Sequence, residues 1–152
     1  MQCRCNGQAL LLRRSPTSGN PNTLGLPGGN QDAQDNADLM QTAIREAIEE
    51  MGSPLPQFSV VKSFLIKRGK RLQKHFTVFL AMVTPEAKEA WGGPHALDVT
   101  EHTGYAWVSV EELAGGVGGE MTAQGLELHP VVRRLLVDEP VRTQVLFFAN
   151  NS

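Results

Sequence analysis

The run Arg45-Glu46-Ala47-Ile48-Glu49-Glu50-Met51-Gly52 sets three carboxylates within five positions, behind an arginine and ahead of a glycine. Residues three and four apart share a helix face, so Glu46, Glu49 and Glu50 can converge on one point, with Arg45 in reach of Glu49. Carboxylates crowded in this way repel one another unless a cation sits among them. A hard divalent ion such as Mg²⁺, which takes oxygen ligands and keeps several waters, suits that role. The chemistry implied is polyanion handling through a metal. The plain alternative is a solvated acidic face laced by ion pairs of about 0.2–0.5 kcal/mol each.

A helix must carry these residues. Leu39, Met40, Ala43, Ile44, Ala47, Ile48 and Met51 recur at helical spacing and predict a helix over about 37–51, apolar on one face and acidic on the other. Asp35, Asn36 and Asp38 are its N-cap candidates, and Gly52 with Ser53-Pro54 ends it. Upstream, Leu26-Pro27-Gly28-Gly29 reads as a tight turn in which two residues without Cβ let the backbone press its amides or carbonyls against a ligand.

Turn, loop and acidic helix together resemble the box of the Nudix hydrolases, G-x5-E-x7-R-E-U-x-E-E-x-G-U with U apolar. The matching residues are Gly29, Arg45, Glu46, Ala47, Glu49, Glu50 and Gly52. Two departures stand out. From Gly29 to Arg45 is sixteen positions where the pattern has fourteen, and the first glutamate is missing: its place falls on Asp35 counted forward and on Ala37 counted back, with Asp38 a third candidate. The last U is Ser53.

The resemblance implies an α/β/α sandwich with a mixed sheet, and a Mg²⁺-dependent pyrophosphohydrolase, Mn²⁺ substituting, that cleaves the diphosphate of a nucleoside diphosphate linked to another group. Carried over position by position, Glu46 is metal ligand or general base, Glu49 and Glu50 are metal ligands, Gly28 offers its carbonyl to the metal, and Arg45 orients the glutamates. Many members recruit another acid six residues before a late tryptophan. Here that is Glu101, ahead of Trp107, and its plain alternative is a solvated loop acid. Asp32-x-x-Asp35 before Thr42-Ala43-x-Arg45-Glu46 also looks like the coenzyme A pyrophosphatase branch, whose upstream arginine Ser15 to Leu26 lacks. A catalytically silent nucleotide-binding module is the third reading, disfavoured because Glu46, Glu49 and Glu50 are all present.

Composition frames one domain over 1–152: 41% of residues are apolar and 20% charged, as in globular proteins, and 152 residues suffice for one core. The net charge of −2 exerts no general pull on nucleic acid or anionic membrane, and no run is long enough to span a bilayer. A cytoplasmic home is the default expectation, with a small nucleotide derivative as partner and a homodimer left open. Nucleic acid is set aside, except for a capped or triphosphorylated RNA end. Lys62, Lys67, Arg68, Lys70, Arg71 and Lys74 could meet such an end; more plainly, they solvate a hairpin tip and discourage edge pairing.

Cys3 and Cys5 read as reduced thiols, since no further ligands accompany them. Of the histidines, His75, His95, His102 and His129, none is assigned to chemistry; His102, beside Glu101, is the one marked for testing. Strands are expected at 8–14, 58–66, 75–84 and 105–110, with a last strand at 144–149. Short helices are expected at 111–114 and 130–137, and a loop at Gly115 to Gly119.

Overall fold

The computed structural model describes residues 2–3, 7–115, 125 and 127–150. Chain order is β1 (Gln2–Cys3), β2 (Gln8–Arg14), β3 (Leu24–Gly25), a 3₁₀ turn (Ala33–Asp35), α1 (Leu39–Met51), β4 (Phe58–Arg68), β5 (Lys74–Val83), α2 (Pro85–Trp91), β6 (His102–Ser109), α3 (Val110–Gly115), α4 (Pro130–Val137) and α5 (Glu139–Asn150).

Strand β2 is the hub of the sheet. Along one edge it pairs antiparallel with β6, Leu10 opposite Trp107 and Leu12 opposite Tyr105. Its other edge forks: the start meets β1, Ala9 opposite Gln2, and the end meets β3, Leu12 opposite Gly25. Strand β1 then runs parallel to β5, which forms a long antiparallel hairpin with β4. One parallel pairing among antiparallel ones gives the mixed sheet that the sequence predicts.

Alternation along β2 divides the core between two layers. Leu10 and Leu12 face α1, packing with Ala47, Met51, Trp91 and Trp107. Leu11 points the other way, into Leu113 of α3 and Val132 and Leu136 of α4. Phe64 and Ile66 of the hairpin meet Leu135 of α4 and Val145 and Ala149 of α5. The three leucines are at most 1% exposed, each worth on the order of 2 kcal/mol of apolar burial. Helices thus cover both faces, an α/β/α sandwich.

Several expectations need correction. Residues 144–149 are helical, part of α5, not a strand: Val141, Val145 and Ala149 recur every four residues and pack on the hairpin, a tertiary stripe that overrides the local β preference of Val-Leu-Phe-Phe. Helix α1 starts at Leu39 rather than 37, because Asn36 and Ala37 take left-handed backbone and Asp38 is the residue whose side chain caps Met40 and Gln41. Its two faces are not cleanly divided either. Leu39 and Ile48 are exposed while Glu50 is buried. Strands β4 and β5 run longer toward the tip, to Arg68 and from Lys74. Helix α2 was not foreseen; Thr84 caps it ahead of Pro85, and Gly92 ends it. The side chains of Cys3 and Cys5 and residues 116–119 of the glycine-rich stretch lie outside what is described.

Candidate active site

Two groups of charges form on and around α1. The first surrounds Arg45. Asp32 caps the 3₁₀ turn, and Asp35, three residues on, accepts the Asp32 N–H at 2.8 Å, closing a capping box. Asp35 also accepts the Thr42 hydroxyl at 2.9 Å and a two-pronged contact from Arg45, Nε at 2.9 Å and Nη2 at 3.0 Å. The guanidinium spends its remaining donors on Glu49 at 3.1 Å, the Asn30 carbonyl at 3.1 Å and an ion pair with Glu46 at 2.9 Å. Asp35 is 3% exposed, and Arg45 holds its carboxyl well below the usual carboxylate range against the opposing effect of burial. The same carboxylate raises the Arg45 pKa further.

Gly29 lies against the Glu46 carboxylate: a Cβ there would overlap it, so any other residue would have to displace that side chain from its present position.

The second group surrounds Glu50, and no arginine or lysine among the described residues pairs with it. Glu50 is 6% exposed, and its Oε2 accepts the Gly28 N–H at 2.9 Å. Burial pushes its pKa up to about 8; the Gly28 amide opposes the shift, while the charges of Glu101 and Glu46 add to it. Glu50, Glu101 and His102 offer ligand atoms that all lie within 4.8 Å of one another.

Backbone bonds bring Glu101 and His102 there. Gly52, at φ 60°, ends α1, and a Cβ on it would strike the Ala96 carbonyl. The 96–98 segment therefore lies against the helix end, Ala96 N–H donating to Met51 at 3.3 Å and Asp98 N–H to Glu50 at 2.9 Å. The Asp98 carbonyl then accepts the N–H of Glu101 at 3.0 Å and of His102 at 2.8 Å, and the Glu101 carbonyl accepts the Ser15 N–H at 2.7 Å. His102 is 1% exposed, and its pKa is lowered by burial first and by the Arg14 charge second.

Against the sequence reading, Glu50 and Glu101 meet, and Gly28 reaches Glu50 through its amide. Glu46 and Glu49 turn toward Arg45, Glu49 with its side chain 58% exposed. Of the three residues at the first-glutamate place, Asp35 is the one that grips Arg45; Asp38 caps the helix and Ala37 lies in the connection. His102 joins the carboxylates although the sequence assigns it no role. Adjacency to Glu101 was its signal.

The donor set fits a divalent cation: a buried carboxylate with no arginine or lysine paired to it among the described residues, a second exposed carboxylate and an imidazole converge on one point.

Fold and site define a mixed α/β domain whose acidic helix contributes to a group that could hold a metal ion. The chain belongs to the NUDIX domain family, whose model matches residues 2–128. Among solved structures it is similar to DR0079 from Deinococcus radiodurans, with TM-score 0.60 and 19% identity over 90% of this chain and 76% of that one. It is similar to the MutT NUDIX hydrolase from Burkholderia pseudomallei, with TM-score 0.56 and 18% identity over 91% and 99%. The NUDIX domain of NrtR from Shewanella oneidensis, solved with ADP ribose, matches with TM-score 0.51 and 16% identity over 91% and 77%.

Proposed function

We propose that this chain is a Mg²⁺-dependent pyrophosphohydrolase, able to use Mn²⁺, that cleaves the diphosphate bridge of a nucleoside diphosphate joined to a second group. The observation that carries this reading is Glu50, a carboxylate 6% exposed with Glu101 and His102 beside it and no arginine or lysine paired with it among the described residues. A bound divalent ion there would neutralise phosphate oxygens and acidify a water.

Glu50 and Glu101 are the residues that would hold the ion, while Glu46 and Glu49 on the same helix are held on Arg45. Glu46 is also the base candidate, taking the proton of the attacking water at its carboxylate while Arg45 holds that carboxylate in place at 2.9 Å. The Gly28 amide fixes the orientation of Glu50 through a 2.9 Å bond, and Asp35 fixes Arg45 in turn. The ADP ribose bound by the Shewanella domain belongs to the proposed substrate class and supports it.

The test is a panel of nucleoside diphosphate derivatives, including ADP ribose, dinucleoside polyphosphates, nucleotide sugars, coenzyme A and capped RNA, incubated with Mg²⁺ and scored by product identity. Cleavage within the diphosphate, lost in chelator and restored by Mg²⁺ or Mn²⁺, is expected. Glu46→Gln should lower turnover by about 10²–10⁴-fold. Undiminished turnover in that variant would refute the role given to Glu46, and indifference to chelator would refute the metal.

A further inference from the structure

His102 is the feature of the site that an all-oxygen magnesium centre leaves unexplained. Its ring is 1% exposed, yet no hydrogen bond from the described residues reaches either nitrogen: Nδ1 has no partner, and Nε2 stands 3.9 Å from Glu50 Oε1, beyond hydrogen-bond range. Buried polar atoms are nearly always satisfied, so a ring this buried that leaves Nδ1 without a partner and sets Nε2 against a carboxylate is unusual. Nε2 is the ring nitrogen that faces Glu50.

The backbone aims the ring deliberately. His102 pairs with Arg14, while Gly104 pairs with the preceding Arg13, so the β2–β6 ladder is irregular at this point. Such an irregularity turns a side chain out of the regular alternation, and it occurs beside active sites. The Asp98 carbonyl anchors the His102 N–H at 2.8 Å.

We infer that His102 Nε2 is a ligand of the site's metal, making the centre a mixed carboxylate and imidazole site that favours Mn²⁺ over Mg²⁺. This rests on the metal-dependent reading above and adds which ion the site selects. The 3.9 Å between Nε2 and Glu50 Oε1 fits within the span of about 4.2 Å across a single ion with bonds near 2.1 Å. Imidazole nitrogen suits first-row transition metals, whereas Mg²⁺ takes oxygen and water. Three donors, Glu50, Glu101 and His102, leave room in the shell for phosphate oxygens and water.

Pulsed electron paramagnetic resonance on the full chain loaded with Mn²⁺ alone reads a bound nitrogen directly, without any turnover. The expected result is a ¹⁴N modulation that changes to the ¹⁵N pattern when the protein is made with ¹⁵N-histidine, and that disappears in His102→Gln. Should His102→Gln fail to fold, the double variant His75→Gln with His95→Gln settles the assignment. Both of those residues are exposed, and His129 has each nitrogen engaged, by Val131 N–H at 3.1 Å and Asn20 at 3.2 Å. Modulation that persists in the double variant supports His102; modulation lost there overturns it.

Competition of Mg²⁺ against bound Mn²⁺ gives the second readout: a preference for Mn²⁺ that drops about tenfold in His102→Gln. If Mn²⁺ binds without nitrogen coupling, the imidazole assignment is wrong while the metal site stands. If no Mn²⁺ binds at all, both fail.

Discussion

Two carboxylates buried within one site, Asp35 and Glu50, are treated in opposite ways. Asp35 meets a guanidinium, a hydroxyl and an amide, so its charge is fully answered by protein. Glu50 meets one amide, a second acid and an imidazole, and burial outweighs the Gly28 amide and the Arg14 charge that favour its ionised form. A paired charge holds the fold together. An unpaired one costs stability and is kept for its chemistry, the pattern by which active sites trade stability for function.

The largest effect expected from this contrast is in Glu50→Gln. The amide side chain still accepts the Gly28 N–H but needs no counterion. Turnover should fall by at least about a hundredfold, while Tm measured in chelator rises by a few degrees. A lower Tm in chelator would show that Glu50 is as well paired as Asp35 and would end the comparison.

Asp35→Asn is the mirror experiment, losing stability first and activity through the loosened Arg45. Its pH signature has a definite sign. The Asp35 pKa is depressed in the fold, so its contribution is present at neutral pH and above the ordinary carboxylate pKa of about 4, and is lost as pH falls below that toward the depressed folded value. Melts between pH 6 and pH 2 should therefore fall less steeply in Asp35→Asn than in wild type. Parallel acid limbs would remove Asp35 from the account.

Much of this was legible in the chain and some was not, for physical reasons. The extent of β2 and of α4 agrees with the sequence reading to the residue, since the short apolar run Ala9–Leu12 between polar residues and the Pro130 start are local signals. The acidic run of α1 was legible as chemistry for the same reason. That Glu49 would turn out to Arg45 and Glu50 inward was not, because both sit on the acidic side of the helix and the sorting is done by the Gly28 amide and the 96–102 segment, far off in sequence. The first-glutamate place was ambiguous among three residues because the loop is two residues longer. The 3₁₀ turn absorbs that length and delivers Asp35 to Arg45. Helix α5 was misread because its apolar stripe makes sense only once the hairpin it covers is in place.

Smaller effects sharpen the contrast at its edges. Glu101 is exposed and anchored through its backbone, so Glu101→Gln should leave Tm unchanged and weaken metal binding by about tenfold, read by titration with Mn²⁺. Unchanged affinity would return it to a solvated loop acid.

Glu49→Gln should also change stability little. Its side chain is 58% exposed and makes a 3.1 Å bond to Arg45 four residues before it, a surface pair worth a few tenths of a kcal/mol. Tm should hardly move, and turnover should fall less than in Glu50→Gln, because Glu49 stands on the Arg45 side while Glu50 lies within the metal-binding group. A loss of turnover equal to that of Glu50→Gln would place Glu49 beside the ion during catalysis. The Arg45 contact would then be a resting position, and the line between paired and unpaired acids would shift by one residue along the helix.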